Sequence, residues 1–599
     1  MTPSFPISVQ PCWGLGFSPV AEGVLARLEQ AGVVQAVAGS GTVPDASTTL
    51  SQQWTCSAGF VVVGATGLVT RLVAPLLQHK HRDPPVVVVD PEGRFAIPLV
   101  GGHVAGAEAL SQRVAAVLGG IAVLTGASSG TARLALDAFG SAWGWRRGHG
   151  DWTGLMRLAA AAGPLGVVQE SGHCLWRELE AARALSLAPP DGALPVSLVV
   201  SARLGPACRW HPPVLWIGLG CERGTSLELL DRLVDRALQG EGLAPLAVAG
   251  LATVSRKADE PALQALADQR HWPLRLFEPS ALSTVAVPNP SAAVAAEMGT
   301  PSVAEASALL AAGHEARLIV PKQIEHRRPS ERGAATVAIA EAFPQWAPQR
   351  GHLHLVGSGP GRLDLLTPEA RDVLARCSVW VGYGLYLDLL EPLRRPDQLR
   401  LDGRLTQERE RCRQALDLAS QGLPVALVSS GDSGIYAMAG LALEMWLDQP
   451  ADGRPGFTVH PGISALQLGA ARAGAPLMHD FCAISLSDRL TPWPVIERRL
   501  QAAAAGDFVV ALYNPRSEGR DWQLVRAREL LLAGRDASTP VAICRQLGRE
   551  QEQVGLHTLA TLPIEQVDML TLVLVGNSTS YVRSGRMVTP RGYPGATLS

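Results

Sequence analysis

A chain of 599 residues is several times one ordinary domain, and at ~100–200 residues per domain it predicts three or four. Hydrophobic residues make up 47% and charged residues 18%, which excludes long-range disorder. With 52 basic and 54 acidic side chains the net charge is −2, so the chain has no overall field with which to grip nucleic acid.

Only Lys80, Lys257 and Lys322 are lysines, and the other 49 of the 52 basic residues are arginines. Codon usage is enough to explain the skew. Its chemical consequence is that nothing after residue 322 can use a lysine base or a lysine Schiff base. None of the nine cysteines stands in a CxxC pair, so no zinc ribbon or other metal site is expected. Scattered, odd-numbered cysteines predict a reducing compartment. The start, MTPSFPISVQPCWGLG, lacks the basic end and apolar run of a signal peptide. Phe60–Leu77 is the best membrane candidate, but Arg71, Gly64, Gly67 and its length argue against a span. The expectation is a soluble, cytoplasmic protein with no membrane partner.

Residues 1–150 read as an α/β domain. Gly59–Val63 and Pro85–Asp90 (PVVVVD) are predicted buried parallel strands, with a helix over Leu68–Gln78 between them. FAIPLVGGHVAGAEALSQRVAAVLGG is a strand, a glycine turn and a helix, and IAVLTGAS is a further strand. Residues 151–212 read as an intermediate or linker region, with a turn at Pro189, Pro190, Asp191 and Gly192 and with Pro206, Pro212 and Pro213 near its end. Residues 213–325 restart the alternation: VLWIGLGC, a helix over Thr225–Gly240, LAPLAVAGLAT, a helix over Pro261–Gln269, and RLIVPKQ. Residues 326–350 mix charge, proline and glycine without a steady period and predict a linker.

Residues 351–599 predict two α/β halves side by side. The strand LHLVG ends in GSGPG, and Thr367-Pro368-Glu369 starts a helix with a threonine cap and proline at its first position. The later strands are CSVWVGYG, PVALVSSGDSGIY, FTVHPG, FCAISLSD, DFVVALYNP, PVAICRQ and DMLTLVLVGN, and Thr406–Gln421 is a charged helix. The GSGPG loop is not a dinucleotide fingerprint. Arg362 stands where a third glycine is required, Pro360 lacks an N–H, and the helix begins only at Thr367. A Walker loop is absent because the chain contains no Gly-Lys pair. What remains is a plain turn, or a neutral crevice walled by backbone that suits an uncharged or zwitterionic ligand. SSGDSGIY, HPGISAL and LYNPRS are three more strand ends that can meet at the same crevice.

VGSGPGRLDLLTPEA, VGYGLYLDLL, ALVSSGDSGIYAMAG, HPGISALQLGAARAGAPLMHDFCAISLSDRLTPWPVIERRL, DFVVALYNPRS and VDMLTLVLVGNSTSYVRSGRMVTPRGY together resemble the tetrapyrrole (corrin/porphyrin) methyltransferase family. The HDF–SLSD–LTPW–IERRL run is similar to the ring-contracting members that methylate C17 of precorrin-3B or its cobalt form. The resemblance implies a two-lobed fold with S-adenosylmethionine between the lobes and a tetrapyrrole partner; its members are commonly homodimers. It implies a cofactor cleft lined by Gly359 and Pro360, by Ser430, Gly431, Asp432 and Ile435, and from the second lobe by Ser464, Ala465 and Asn514. Ser433 departs from the family's usual proline. Proton movement has His479, Asp480 and Asp488 as candidates, although His479 and Asp480 can equally be strand caps. Arg489, Arg516 and Arg545 are the candidates to hold the substrate's carboxylates, against the alternative of ordinary surface arginines.

FAIPLVGGHVAGAEAL, WIGLGCERGTS, KADEPALQALA, VPNPSAAVAAEMGTPSVAEASALLAAG and LIVPKQ resemble the cobalt-precorrin 5A hydrolase family, which opens a lactone and expels a two-carbon aldehyde. Lys257 and Glu260, three residues apart, are either a catalytic pair or a solvated ion pair on one helical turn. His103 is a general base or a helix cap, and Glu222 and Arg223 are likewise site or cap. The sequence therefore points to an α/β chain with a two-lobed methyltransferase unit preceded by two smaller open-sheet domains. The N-terminal half is a hydrolase, or a non-catalytic module that binds tetrapyrrole.

Overall fold

A computed structural model of the chain describes residues 11–39, 44–78, 82–124, 135–161, 165–183, 185–187, 196–313, 315–404, 407–517 and 519–593. Four consecutive valines, Val86–Val89, are buried on both faces, as an interior strand of a mainly parallel sheet requires. Their sheet has the order Ala36–Ala38, Cys12–Gly16, Gly59–Val63, Val86–Val89, Phe95–Val100 and Ile121–Ala122. The expected turn after Phe95–Val100 is a short π-helical segment, Gly102–Gly106, which leads into the helix Ala107–Leu118.

The stretch 151–212, expected to be intermediate or linker, carries a sheet of its own. Its order is Arg146–Arg147, Arg209–His211, Val196–Val200, Leu165–Gln169 and Leu185–Leu187. The strands are short, with LGVVQ and VSLVV the longest at five residues each, and the buried Trp143 and Trp176 lie in turns outside them, so a periodicity reading passes over them. The turn expected at Pro189, Pro190, Asp191 and Gly192 lies outside the described residues, as does Lys80.

The expected linker 326–350 is also structured. Arg317–His326 pairs antiparallel with Ala334–Glu341, which in turn pairs along its length with Leu215–Cys221. The sheet order is Leu274–Phe277, Val248–Val254, Leu215–Cys221, Ala334–Glu341 and Arg317–His326. AATVAIA is an interior strand whose charged and proline-rich flanks hide it in any longer window.

In the C-terminal unit the first lobe is a parallel sheet ordered Leu399–Gly403, Val379–Tyr383, Pro424–Ser429, His352–Gly357 and Gly456–His460. The second is mixed, ordered Phe481–Ser485, Val509–Tyr513, Thr571–Val575, Pro540–Arg545 and Gln553–Thr558. No helix among the described residues is long and apolar enough to cross a membrane.

The first lobe does not stand apart from what precedes it. Trp143, Trp176 and Trp210 share one continuous apolar cluster with Leu353, Leu355, Val425, Leu427 and Leu416. Polar contacts cross the same seam. Trp145 Nε1 donates to Gln345 Oε1 at 3.0 Å, and Gln345 Nε2 donates to the Gln421 carbonyl at 2.5 Å. Ser378 donates to the Ala142 carbonyl. Arg113 pairs with Asp372 and Arg275 with Asp452, each at 2.8 Å.

His173 lies within this tryptophan cluster, its ring 5.1 Å from both the Trp143 and the Trp145 ring centres. Burial pushes its pKa from 6.5 down to about 3, so it is neutral when folded and gains a proton only on unfolding. Stability should be level above the unfolded value and fall as pH drops from about 6.5 toward 3. Thermal melts from neutral pH to pH 4 should show a smaller fall for His173→Phe than for the parent chain. A difference between the two that does not change with pH would refute the assignment.

Candidate functional site

His352–Gly357 lies between Pro424–Ser429 and Gly456–His460, all parallel, so the loops leaving their carboxyl ends are neighbours. Those loops are GSGPG, SSGDSG and PGIS. Their backbones cross at very short range. Gly359 and Gly431 exchange both hydrogen bonds, at 3.1 and 2.7 Å, with φ of +70° and +66°. A Cβ on Gly462 would lie 2.1 Å from the Gly431 carbonyl oxygen and 2.6 Å from that of Gly357. A Cβ on Gly357 would meet the same Gly431 oxygen at 2.7 Å. Only glycine fits at these positions.

Asp432 braces the crossing. One carboxylate oxygen accepts the Gly434 N–H at 2.8 Å, and the other accepts the Gly462 N–H at 3.1 Å. Ser433 is fully buried, and neither its hydroxyl nor that of buried Ser429 has a hydrogen-bond partner. Ser464 is spent as a helix cap, in a capping box with Gln467. Ala465 opens that helix.

The second lobe closes the other side. Pro360 packs on Gly548, whose added Cβ would stand 2.9 Å from the proline ring. Tyr436, at φ +50°, reaches across to donate to the Ala483 carbonyl at 2.8 Å, and its ring lies 5.2 Å from that of Tyr513. Tyr513 Oη accepts the Leu466 N–H at 3.1 Å. Asn514, also left-handed at φ +50°, donates from Nδ2 to Ser485 Oγ at 3.0 Å. Buried Arg520 ties the loops after both strands, donating to the carbonyls of Leu486 and Asn514 at 3.4 Å each.

Gly359, Pro360, Ser430, Gly431, Asp432, Ile435, Ser464 and Ala465 thus lie on or beside the three crossing loops of the first lobe, and Asn514 follows the strand Val509–Tyr513 of the second. Asp488, Arg489, Arg516 and Arg545 stand at the same end of the second sheet. Asp488 accepts from Gln523 at 3.2 Å, and Arg489 is exposed without a hydrogen-bond or ion-pair partner. Arg516 is engaged by Glu565 at 2.9 Å, and Arg545 by Asp568 at 3.3 Å with its Nε buried and unpaired. His479 and Asp480 are not brought to this group. They precede the amino end of Phe481–Ser485, a strand of ~16 Å at ~3.3 Å per residue. There the Asp480 N–H donates to His479 Nδ1 at 2.9 Å.

Tyr436, Tyr513, Arg520 and the turn Gln546–Gly548 were missed in the sequence. Left-handed Tyr436 and Gln546 carry no glycine to announce them. In the N-terminal half, His103 sits in the π-helical segment of the first sheet, with its side chain outside the described residues. Lys257 and Glu260 belong to the third sheet. Lys257 ends a 3₁₀ turn, and Glu260 occupies the cap position of the helix Pro261–Arg270. Of the two readings of this pair, the solvated ion pair does not hold, because both residues are buried.

Residues 352–563 match the family of tetrapyrrole (corrin/porphyrin) methylases. A probable cobalt-factor III C(17)-methyltransferase of Salmonella typhimurium is 48% identical over 241 residues, which are 40% of this chain and 99% of that protein. The chain belongs to the tetrapyrrole methylase family. A precorrin-3B C(17)-methyltransferase of a Sinorhizobium species is 43% identical over 253 residues, which are 41% of this chain and 99% of that protein. The solved methyltransferase CobJ is 38% identical, covers 40% of this chain and all of its own, and has a TM-score of 0.39. Ahead of the methylase unit, residues 48–129 match the cobalamin synthesis G N-terminal family and residues 215–340 the cobalamin synthesis G C-terminus. The chain is therefore a fusion of cobalamin-synthesis modules, and the tryptophan-rich sheet lies between the two G matches.

The crossing gives a direct test. Gly462→Ala should cost about 1–3 kcal/mol through overpacking against two carbonyl oxygens. Gly440→Ala, where an added Cβ meets nothing within 4 Å, should be neutral or slightly stabilising. Urea unfolding of the two variants measures the contrast, and equal midpoints would overturn it.

Proposed function

We propose that the C-terminal unit methylates C17 of precorrin-3B, or of its cobalt form, from S-adenosylmethionine with contraction of the ring, in the cytoplasm. We propose further that the N-terminal half opens the lactone of cobalt-precorrin 5A. The observation that carries the first reading is the glycine crossing, at the place where a chain spanning almost the whole of a C(17)-methyltransferase relative puts its loops. The three sequence-matched cobalamin-synthesis modules support the second.

The crossing suits the proposed cofactor: it is walled by backbone, carries one carboxylate, Asp432, and has beneath it two buried hydroxyls, Ser429 and Ser433, with no hydrogen-bond partner among the described residues. When bound, S-adenosylmethionine supplies an activated methyl on a sulfonium. The chain's own residues then have positioning as their main task, for which alignment in place is worth ~7–11 kcal/mol. Gly359, Gly431 and Gly462 let backbone approach closely, Asp432 holds their loops, and Pro360 with Gly548 closes the lobe seam. Ser430, Ile435, Ser464, Ala465 and Asn514 line the remainder. Tyr436 and Tyr513, with rings 5.2 Å apart, bridge the two lobes beside the crossing.

The tetrapyrrole carries many carboxylates, and Arg489 is an exposed cation at this end of the second sheet with no partner among the described residues. Arg516 and Arg545 would have to exchange Glu565 and Asp568 for substrate. Ring contraction moves a proton at a tertiary alcohol, and Asp488 is the candidate carboxylate at this end of the sheet. His479 and Asp480 would have to act from the far end of their strand.

Incubation with S-adenosylmethionine and precorrin-3B, metal-free and cobalt-loaded, should give a product heavier by one methyl. No gain with either substrate would overturn the reading. Asp488→Asn should lower kcat by ~10²–10⁴-fold as expected for a lost proton-transfer group. Arg489→Ala should raise KM with kcat little changed.

A further inference from the structure

The carboxyl edge of the third sheet holds two buried charged groups that do not neutralise each other. Lys257 is 4% exposed and Glu260 is 1% exposed. Glu260 caps no N–H of its own helix. Its Oε1 instead crosses to accept the Gly224 N–H at 3.0 Å, and no hydrogen bond occupies its other oxygen. Lys257 makes no hydrogen bond, and no carboxylate lies within 4 Å of its ammonium among the described residues.

Both groups surround Cys221, the last residue of Leu215–Cys221, whose thiol responds to each of them. Burial pushes that thiol up to about 11, so it is a neutral wall rather than a nucleophile. Over the top runs a strap. Arg223 pairs with Asp259 at 2.6 Å and donates to the Arg256 carbonyl at 2.9 Å, joining the loops after two strands. Arg256 reaches on to the Glu297 carbonyl at 3.0 Å.

A lysine whose stem is buried and whose ammonium has no partner among the described residues adds only the burial of its stem to the fold. A polar floor of this kind at the carboxyl end of a sheet is where ligands bind. The contrast with Lys322 is direct, because that lysine's Nζ donates to the Asn289 carbonyl at 2.5 Å and is accounted for.

The geometry points to Lys257 and Glu260 as the catalytic pair of a second, separate site, which takes an ester or lactone group of a polycarboxylate macrocycle. This assignment rests on the hydrolase reading above. Water attacks the lactone carbonyl carbon while the free oxygen of Glu260 takes one of its protons. Lys257 holds the oxyanion that forms. On collapse the ring C–O bond breaks and Glu260 returns the proton to the leaving alkoxide. The products are an alcohol and a carboxylic acid, which ionises to a carboxylate and a proton; the aldehyde then leaves as the C–C bond between the carbinol carbon and the macrocycle breaks, the O–H losing its proton and the ring carbon taking one up, with no oxidant or reductant consumed.

The full-length chain is the test object, with methyl transfer in its other half as the internal control for folding. Lys257→Met should lower two-carbon aldehyde release from cobalt-precorrin 5A by ~10²-fold or more, the scale of losing an oxyanion donor. Glu260→Gln, which can still accept from Gly224, should lower it by ~10²–10⁴-fold. Both variants should keep the parent's methyl-transfer rate. Lys257→Met should melt at or above the parent's temperature, whereas a lysine with a structural role would melt lower. In parallel, fluorescence titration with uroporphyrin, a polycarboxylate tetrapyrrole, reads binding without turnover, and Lys257→Met should weaken one class of site at least tenfold.

Aldehyde release retained in both variants overturns the pair while leaving the hydrolase reading intact. A parent chain that releases no aldehyde refutes that reading. In that case weakened uroporphyrin binding still supports the site, and unchanged binding overturns it.

Discussion

Three backbone segments meeting without side chains between them set the geometry of the C-terminal unit. Gly357, Gly431 and Gly462 bring carbonyl oxygens to within 2.1–2.7 Å of where a Cβ would stand. That closeness lets Asp432 hold N–H groups from two loops at once and gives Gly359 and Gly431 their paired hydrogen bonds. The second lobe is then registered against this knot through Pro360 on Gly548 and through Tyr436 on the edge strand.

Much of this was legible in the sequence, and the reason is local. GSGPG, SSGDSG and HPGIS are loops whose chemistry is written in glycine and proline, so they survive reading without a fold. Asp432 was read as a ligand contact; its two oxygens are engaged by backbone, so its first task is to hold the loops together. What escaped is tertiary. Tyr436 and Gln546 take positive φ without being glycine, and Arg520 matters only because two distant loops fold toward it. His479 and Asp480 follow the same rule in reverse. They are close in sequence to Asp488 but separated from it by the length of a strand, which a motif read as a string does not convey.

The two mistaken linkers have a common cause. AATVAIA is an interior strand between prolines and charges, and composition averaged over residues 326–350 dilutes it. In 151–212 the apolar runs LGVVQ and VSLVV are only five residues long, and the large buried side chains stand outside them: Trp176 in a 3₁₀ turn, Trp210 in a three-residue strand, and Trp143 just ahead of the stretch. Runs this short, separated by turns, leave a periodicity reading too few residues to register.

That tryptophan-rich sheet decides how the two halves relate. A flexible tether would leave each enzyme its own core and couple them only through local concentration. Here Leu353, Leu355, Val425 and Leu427, on one face of the methylase's first sheet, belong to the same apolar cluster as Trp143, Trp176 and Trp210. Exposing that face would cost roughly 25 cal/mol for each Å² of apolar surface returned to water. Gln345 makes the dependence mutual, because one side-chain amide bonds Trp145 on one side and Gln421 on the other. Loss of either side leaves a polar group of the other without its partner. The tryptophan-rich sheet and the methylase's first lobe are therefore one packed unit, and the Arg275–Asp452 pair ties the third sheet to that same lobe rather than leaving it on slack chain.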